Sequence, residues 1–191
     1  MKKLLILFVA LIGIGLGVKA QEYHNVQMND GSWRIYDQNN NYKMPGRINK
    51  VDYKYYNVQK NDGSWRIYDK SLNYKMPGYA RKIDDKYYNV QKDDGIRRIY
   101  DSNLNYKMPG YARKIDDKYY NVQKDDGGWR IYDSNLNYKM PGRAEKNRDG
   151  SYNVQTDDGN WRIYDSNLNY KMPGRVEKSR DRFYNMHRER W

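Results

Sequence analysis

The chain writes one 32-residue sentence five times in succession, without a gap. Trp33, Trp65, Arg97, Trp129 and Trp161 share one column, and Tyr23, Tyr55, Tyr87, Tyr119 and Ser151 open units 23–54, 55–86, 87–118, 119–150 and 151–182. The words WRIYDSNLNYKMPG occupy both Trp129–Gly142 and Trp161–Gly174, and Gly78–Gly95 is identical to Gly110–Gly127, a mark of internal duplication. Phe183-Tyr184-Asn185-Met186 restarts the sentence, which predicts an extra C-terminal strand over 183–186. A unit this short is a single supersecondary piece. It cannot bury an apolar face alone, so neighbouring units must cover it.

Within a unit the letters read as short strands between turns. In the fourth unit Tyr119–Gln123 is aromatic and β-branched, Asp126-Gly127 is a hairpin signal, and Trp129–Tyr132 resumes the strand pattern. Asp133-Ser134-Asn135 favours a second turn, Leu136–Met140 predicts a third strand, and Pro141-Gly142 ends it. Two-residue loops at both turns predict Val122 opposite Ile131, Ile131 opposite Tyr138 and Trp129 opposite Met140. That register puts Tyr120, Val122, Trp129, Ile131, Leu136, Tyr138 and Met140 on an apolar face. The solvated face then holds Asn121, Gln123, Arg130, Tyr132, Asn137 and Lys139, with Arg143–Lys146 as a short linking strand or loop.

The fold class is therefore all-β: five antiparallel β-meander repeats plus one extra C-terminal strand. Two arrangements bury the apolar faces, an open row and a closed barrel-like or propeller-like ring. The restarted strand favours closure, because it caps an edge that would otherwise stay free. A leader-bearing chain of Tyr-rich hairpin repeats resembles the β-flower proteins, shallow barrels similar to tubby C-terminal-like domains. That resemblance covers residues 23–186, rests on repeat style, and implies hairpin petals around an apolar central channel. It carries over no site residues.

Residues 1–20 read as a secretory signal: Lys2 and Lys3, an apolar run from Leu4 to Val18, and the small-residue site Val18-Lys19-Ala20. Cleavage near Ala20 leaves one repeat domain over 21–191, no transmembrane segment, and export to the periplasm, cell surface or medium. It removes three lysines and no acid, so the net charge falls from +12 to +9. With no Cys, an exported life brings no disulfides and stability must come from packing. The 22 Tyr against 2 Phe suit sheets that are wet on one side.

An active site needs residues that occur once and converge, whereas nearly every polar residue here recurs in every unit. His24 and His187 have no third ligand and no evident carboxylate orienter, so neither a metal site nor a nucleophilic triad is expected. Glu145 and Glu177 sit among Lys and Arg as a solvated ion-pairing segment. Asp133-Ser134-Asn135-Leu136-Asn137 has alternating oxygens, yet Tyr138 stands where a calcium loop needs Gly, and Asx turns explain the same letters. No enzyme, no cofactor and no metal is the expectation. The leader and the even scatter of Asp exclude a nucleic-acid reading.

What remains is a repeated Arg and Tyr pair, two residues apart and so on one strand face: Arg34 and Tyr36, Arg66 and Tyr68, Arg98 and Tyr100, Arg130 and Tyr132, Arg162 and Tyr164. Such pairs offer stacking surface and planar donors to a glycan, an anionic envelope polymer or a lipid headgroup, and equally form a ladder that only stabilises the sheet. The function expected is an exported, non-enzymatic module binding anionic envelope material multivalently. A carrier of an apolar ligand in a central channel, and a purely structural scaffold, are the alternatives; the oligomeric state is left open. Arg97 breaks the Trp column and is expected on the apolar face opposite Met108, reaching a carboxylate, an opening or a bound anion.

Overall fold

The computed structural model describes residues 22–176. The leader at 1–20 and the extra strand at 183–186 lie outside the described residues. Among the described residues nineteen strands form five antiparallel sheets, the first of three strands and the other four of four. Sheet boundaries do not coincide with the sequence units. The fourth sheet consists of Tyr111–Lys114, Tyr119–Gln123, Trp129–Asp133 and Tyr138–Pro141, in that spatial order. We call these the linking, opening, central and outer strands; the fifth sheet begins with its own linking strand, Arg143–Lys146.

The linking strand thus pairs with the unit that follows it, not the one it ends. The chain changes sheets at one glycine. Pro141 pairs with Arg130 in the fourth sheet, Arg143 pairs with Gln155 in the fifth, and Gly142 between them has φ +105°. A Cβ on Gly142 would lie 2.5 Å from the Gln155 carbonyl oxygen, so glycine is required for clearance as well as for its φ.

The turns stand where the sequence puts them but have another loop length, and this reverses the faces. Gly127 N donates to Lys124 O and Lys124 N to Gly128 O, with Gly127 at φ +82°. That is a type I turn followed by a left-handed bulge residue, one residue longer than the expected two-residue loop. Val122 consequently lies opposite Arg130, Asn121 opposite Ile131 and Tyr120 opposite Tyr132. The second hairpin does the same at Asp133–Asn137, with Leu136 in the left-handed position at φ 63° instead of opening a strand. A further bulge beside Ile131 and Tyr132 sets Ile131 opposite Met140. The expected pairs Val122 with Ile131, Ile131 with Tyr138, and Trp129 with Met140 are therefore corrected. An odd change in loop length moves every side chain of a strand to its other face.

With this register both faces of an interior sheet are buried. One face of the fourth sheet carries Tyr119, Asn121, Trp129 and Ile131; the other carries Tyr120, Val122, Arg130 and Tyr132. The first packs on the fifth sheet, where Ile131 joins Ala144, Tyr152, Val154 and Tyr164 in one cluster. The second packs on the third sheet, where Val122, Tyr120 and Tyr132 join Tyr87 and Ile99. Equivalent clusters lie between sheets one and two and between sheets two and three. The five sheets follow one another like the blades of a propeller-like ring, each core shared by consecutive sheets.

This explains the tyrosine excess. At the paired Tyr119-Tyr120 the first ring meets Tyr152 of the next sheet edge-on at 5.5 Å, and the second meets Tyr87 of the preceding sheet at 5.7 Å. The hydroxyls of the second tyrosines reach the loop between the linking and opening strands of the preceding sheet: Tyr120 Oη donates to Asp84, Tyr88 Oη to Asp52, and Tyr152 Oη to Asp116 at 2.5 Å. A ring with a polar tip spans the gap between two buried faces and still finds a partner at its rim. The wet face expected for these sheets is absent from the interior ones.

Burial, helped by Glu22, pushes the Tyr56 phenol up to about 12, and burial plus the aspartate hydrogen bonds pushes Tyr88, Tyr120 and Tyr152 up as well. A phenol whose pKa is raised by folding stabilises the fold fully below the unfolded value of about 10, and that contribution is lost as pH climbs through the folded value. We expect cooperative alkaline unfolding that begins above about pH 10, with these phenols ionising in step with loss of β circular dichroism. Phenol ionisation that runs to completion while the β circular dichroism stays unchanged would refute this coupling.

The Asp-rich turns have their oxygens occupied. Asp133 Oδ1 accepts from the backbone N–H groups of Asn135 and Asn137, while Oδ2 accepts from the Asn137 amide and pairs with Lys139 Nζ at 3.2 Å. Desolvation pushes this carboxyl up, but those donors outweigh it and hold the pKa at about 2. The letters that resemble a calcium loop are spent on closing the hairpin.

Candidate functional site

A side-chain amide, buried in all but the first sheet, joins each of the first four sheets to the next. Asn121 Nδ2 donates to Ala144 O at 2.8 Å, and Ala144 N donates to Asn121 Oδ1 at 2.8 Å. Asn25, Asn57, Asn89 and Asn153 do the same with Ile48, Ala80, Ala112 and Val176. The linking strand is the edge of its sheet, and the side-chain amide imitates a peptide to satisfy that edge. Asn121, expected on the solvated face, is buried, because the face it occupies packs on the next sheet.

That bridge holds a second feature in place. The first residue of each central strand meets the residue fourteen positions later, which in the first four sheets opens the next sheet's linking strand. Trp33 carries the Arg47 guanidinium at 5.1 Å, Trp129 carries Arg143 at 5.3 Å, and Trp161 carries Arg175 at 4.2 Å. Trp65 meets Tyr79 edge-on at 4.8 Å. At the third sheet the partners are exchanged, with the Arg97 guanidinium 5.1 Å from the Tyr111 ring. Every sheet thus presents one stacked aromatic pair at the same place, four of the five including a cation.

The sequence-predicted Arg and Tyr residues do share a face, but that face is an internal one. Tyr68, Tyr100, Tyr132 and Tyr164 are buried, and Tyr36 is half-buried. Lys60, Lys92 and Lys124 cover the rings of Tyr68, Tyr100 and Tyr132 at 5.4, 5.4 and 5.3 Å. Arg66 pairs with Asp93 at 2.9 Å and Arg130 with Asp157 at 3.3 Å, both in the turn of the next sheet. Arg98 pairs with Asp94 at 2.9 Å and Arg162 with Asp158 at 2.8 Å, in their own turns. Arg34 is exposed on the first sheet, where His24 stacks on Tyr36 at 6.0 Å. His187 and Glu177 lie outside the described residues, and Glu145 pairs with Arg175 at 2.8 Å.

Arg97 is not on a buried apolar face opposite Met108. It pairs with Gln91 across the strand, Ile99 takes Met108, and the guanidinium is exposed. Its cleft between the third and fourth sheets has a volume of about 250 Å³ and is lined by Tyr79, Arg81, Asn89, Gln91, Arg97, Tyr111 and Arg113. The exchange with Tyr111 is the signal that comparing the Trp column with the column fourteen residues later would have revealed. Arg97→Trp would recreate the Trp65 and Tyr79 edge contact and remove one of three neighbouring cations. We expect it to raise the melting temperature by about 1–4 °C, measured by thermal circular dichroism. A lower melting temperature would show that the Arg97 stack is preferred at this sheet.

No family model matches the sequence, and no curated protein matches it. Solved structures do. The C-terminal WD40 domain of Sif2 aligns over 75% of this chain and 52% of its own, at 14% identity and a TM-score of 0.30. A fragment of HIRA aligns over 80% of this chain and 55% of its own, at 6% identity and a TM-score of 0.29. The chain therefore spans little more than half the length of either structure. Likenesses this distant carry no argument by themselves, and the blade description rests on the chain's own sheets.

The β-flower resemblance is corrected on the same ground. Its hairpin petals would surround an apolar channel, whereas this chain stacks four-stranded sheets with apolar cores between them. Ile and Met side chains belong to those cores: Ile99 and Met108 share one, and Ile131 and Met140 the next.

Proposed function

We propose that this chain is an exported, non-enzymatic repeat module that holds an anionic envelope polymer, an acidic glycan in the first instance, at several weak sites in a row. The observation that carries this reading is the stacked aromatic pair repeated once per sheet, four times with an arginine. A half-buried ring offers a flat surface to a sugar, and the guanidinium above it offers planar donors to a carboxylate or sulfate. Repetition suits a polymer, because each further contact is intramolecular once the first has formed. A net charge of +9 after loss of the leader favours the same class of partner.

The test is a titration of tryptophan fluorescence with polygalacturonate, neutral dextran and monomeric galacturonate. The acidic polymer should bind at least a hundredfold more tightly than its monomer, with affinity falling as salt rises, and dextran should not bind. Equal responses to dextran and polygalacturonate would discard the anionic reading. No response to either polymer would leave the purely structural scaffold in its place.

A further inference from the structure

The third and fourth sheets differ from their neighbours in charge. Where the linking strands of the second and fifth sheets have Asn49 and Glu145, those of the third and fourth have Arg81 and Arg113. The Trp column has Arg97 at the same level. All three arginines line the one cleft of about 250 Å³ described above. At the fifth sheet the repeat neutralises this position itself, since Glu145 of the linking strand takes Arg175, beyond the outer strand, at 2.8 Å. Around Arg81, Arg97 and Arg113 no carboxylate lies within ion-pair distance among the described residues. Their closest organised contacts are rings: Arg97 over Tyr111 at 5.1 Å, and Arg113 over Tyr111 and Trp129 at 5.7 and 5.9 Å.

Three like charges in one cleft repel one another, and nothing in the fold requires them there, because the other sheets build the same position without them. The walls also fit a particular shape. Tyr79 and Tyr111 are half-buried flat rings, and the exposed Gln91 amide makes no side-chain hydrogen bond among the described residues. The Asn89 amide is committed to Ala112, which fixes the floor. The volume corresponds to about eight waters at about 30 Å³ each.

We propose that this cleft is a dedicated site for a sugar carboxylate, a uronic acid residue, with Arg81, Arg97 and Arg113 taking the carboxylate and Tyr79 and Tyr111 flanking the ring. Forked guanidinium donors match a planar carboxylate bidentately, and the shared positive potential is relieved when the anion enters. The inference takes its ligand class from the glycan-binding reading but predicts one monomer site in place of a row of equal ones.

The experiment is calorimetric titration of the purified protein with glucuronate, glucose and sulfate, repeated on Arg97→Trp and Arg113→Gln, with melting curves as folding controls. Glucuronate should bind with a stoichiometry of one and at least tenfold more tightly than glucose or sulfate. Each variant should lose at least tenfold in affinity while keeping its melting transition. If Arg113→Gln does not fold, Arg81→Gln is read in its place. Sulfate equal to glucuronate overturns the sugar-carboxylate assignment, and variants that bind like the parent overturn the site. Polygalacturonate binding that survives in variants which have lost glucuronate would leave the row intact and the cleft confirmed. Loss of polymer binding by the parent alongside intact glucuronate binding would sink the row and spare the cleft.

Discussion

Asn121→Ala should destabilise the protein by roughly 2–5 kcal/mol, lowering the melting temperature by about 5–15 °C. The amide is buried and makes both of its hydrogen bonds to the backbone of Ala144, at 2.8 Å each. Truncation leaves an N–H and a carbonyl unpaired in a dry gap between the fourth and fifth sheets, and each orphan costs about 1–3 kcal/mol. Asn121→Asp separates this cause from lost packing. An ionised aspartate still accepts from Ala144 N but faces Ala144 O with no proton to donate, so it too should be strongly destabilising despite its near-identical shape. At Asn153 the partner Val176 is 40% exposed, so water replaces the lost amide and the same truncation should cost less. Thermal melts of the three variants decide the matter; Asn121→Ala melting with the parent would mean the bridge carries no net stability.

Gly110→Ala should cost at least about 3 kcal/mol, and Gly127→Ala only about 1–2 kcal/mol. Both glycines have positive φ, +112° and +82°, so both pay for a conformation that L side chains avoid. The difference lies in space. A Cβ on Gly127 meets nothing within 4 Å, whereas one on Gly110 would stand 2.5 Å from the Gln123 backbone oxygen and 3.2 Å from Val122 Cγ1. Neither contact can yield, because Gln123 is held in the sheet and Val122 is fully buried. Gly110 is where the chain passes from the third sheet to the fourth, so the strain would fall on the crossing itself. Chemical denaturation of the two variants gives the comparison, and equal losses would show that the close approach relaxes at little cost.

The sequence by itself determined the period, the all-β class, and the position of both hairpin turns in each unit. These are local matters: a strand or a turn is encoded within a few residues, and five copies average out the ambiguity of any single one. It also determined that Arg and Tyr two residues apart share a face, since alternation along a strand is independent of what that face meets. Loop length was not legible, because Asp126-Gly127 serves a two-residue turn and a turn with a left-handed bulge equally well. The second was selected by tertiary packing, which rewards a register that buries Tyr120 and Val122 on one side and Ile131 on the other.

The same packing decided what the conserved-looking letters do within the repeat. Asn121 reads as a surface amide until a neighbouring sheet edge arrives to use it, and Leu136 reads as a strand residue until its side chain packs against the core from a left-handed turn. The candidate site stood between these cases. Arg97 was visibly exceptional in its column, but its partner Tyr111 lies in a strand that the sequence assigns to the end of the same unit. Only the handover of that strand to the next sheet, at Gly110, brings ring and guanidinium together with Arg81 and Arg113. Side-chain identities are written in one dimension, whereas a cleft between two sheets is made by which strand each sheet borrows, and that is settled by the backbone hydrogen bonds and buried area available only in the folded chain.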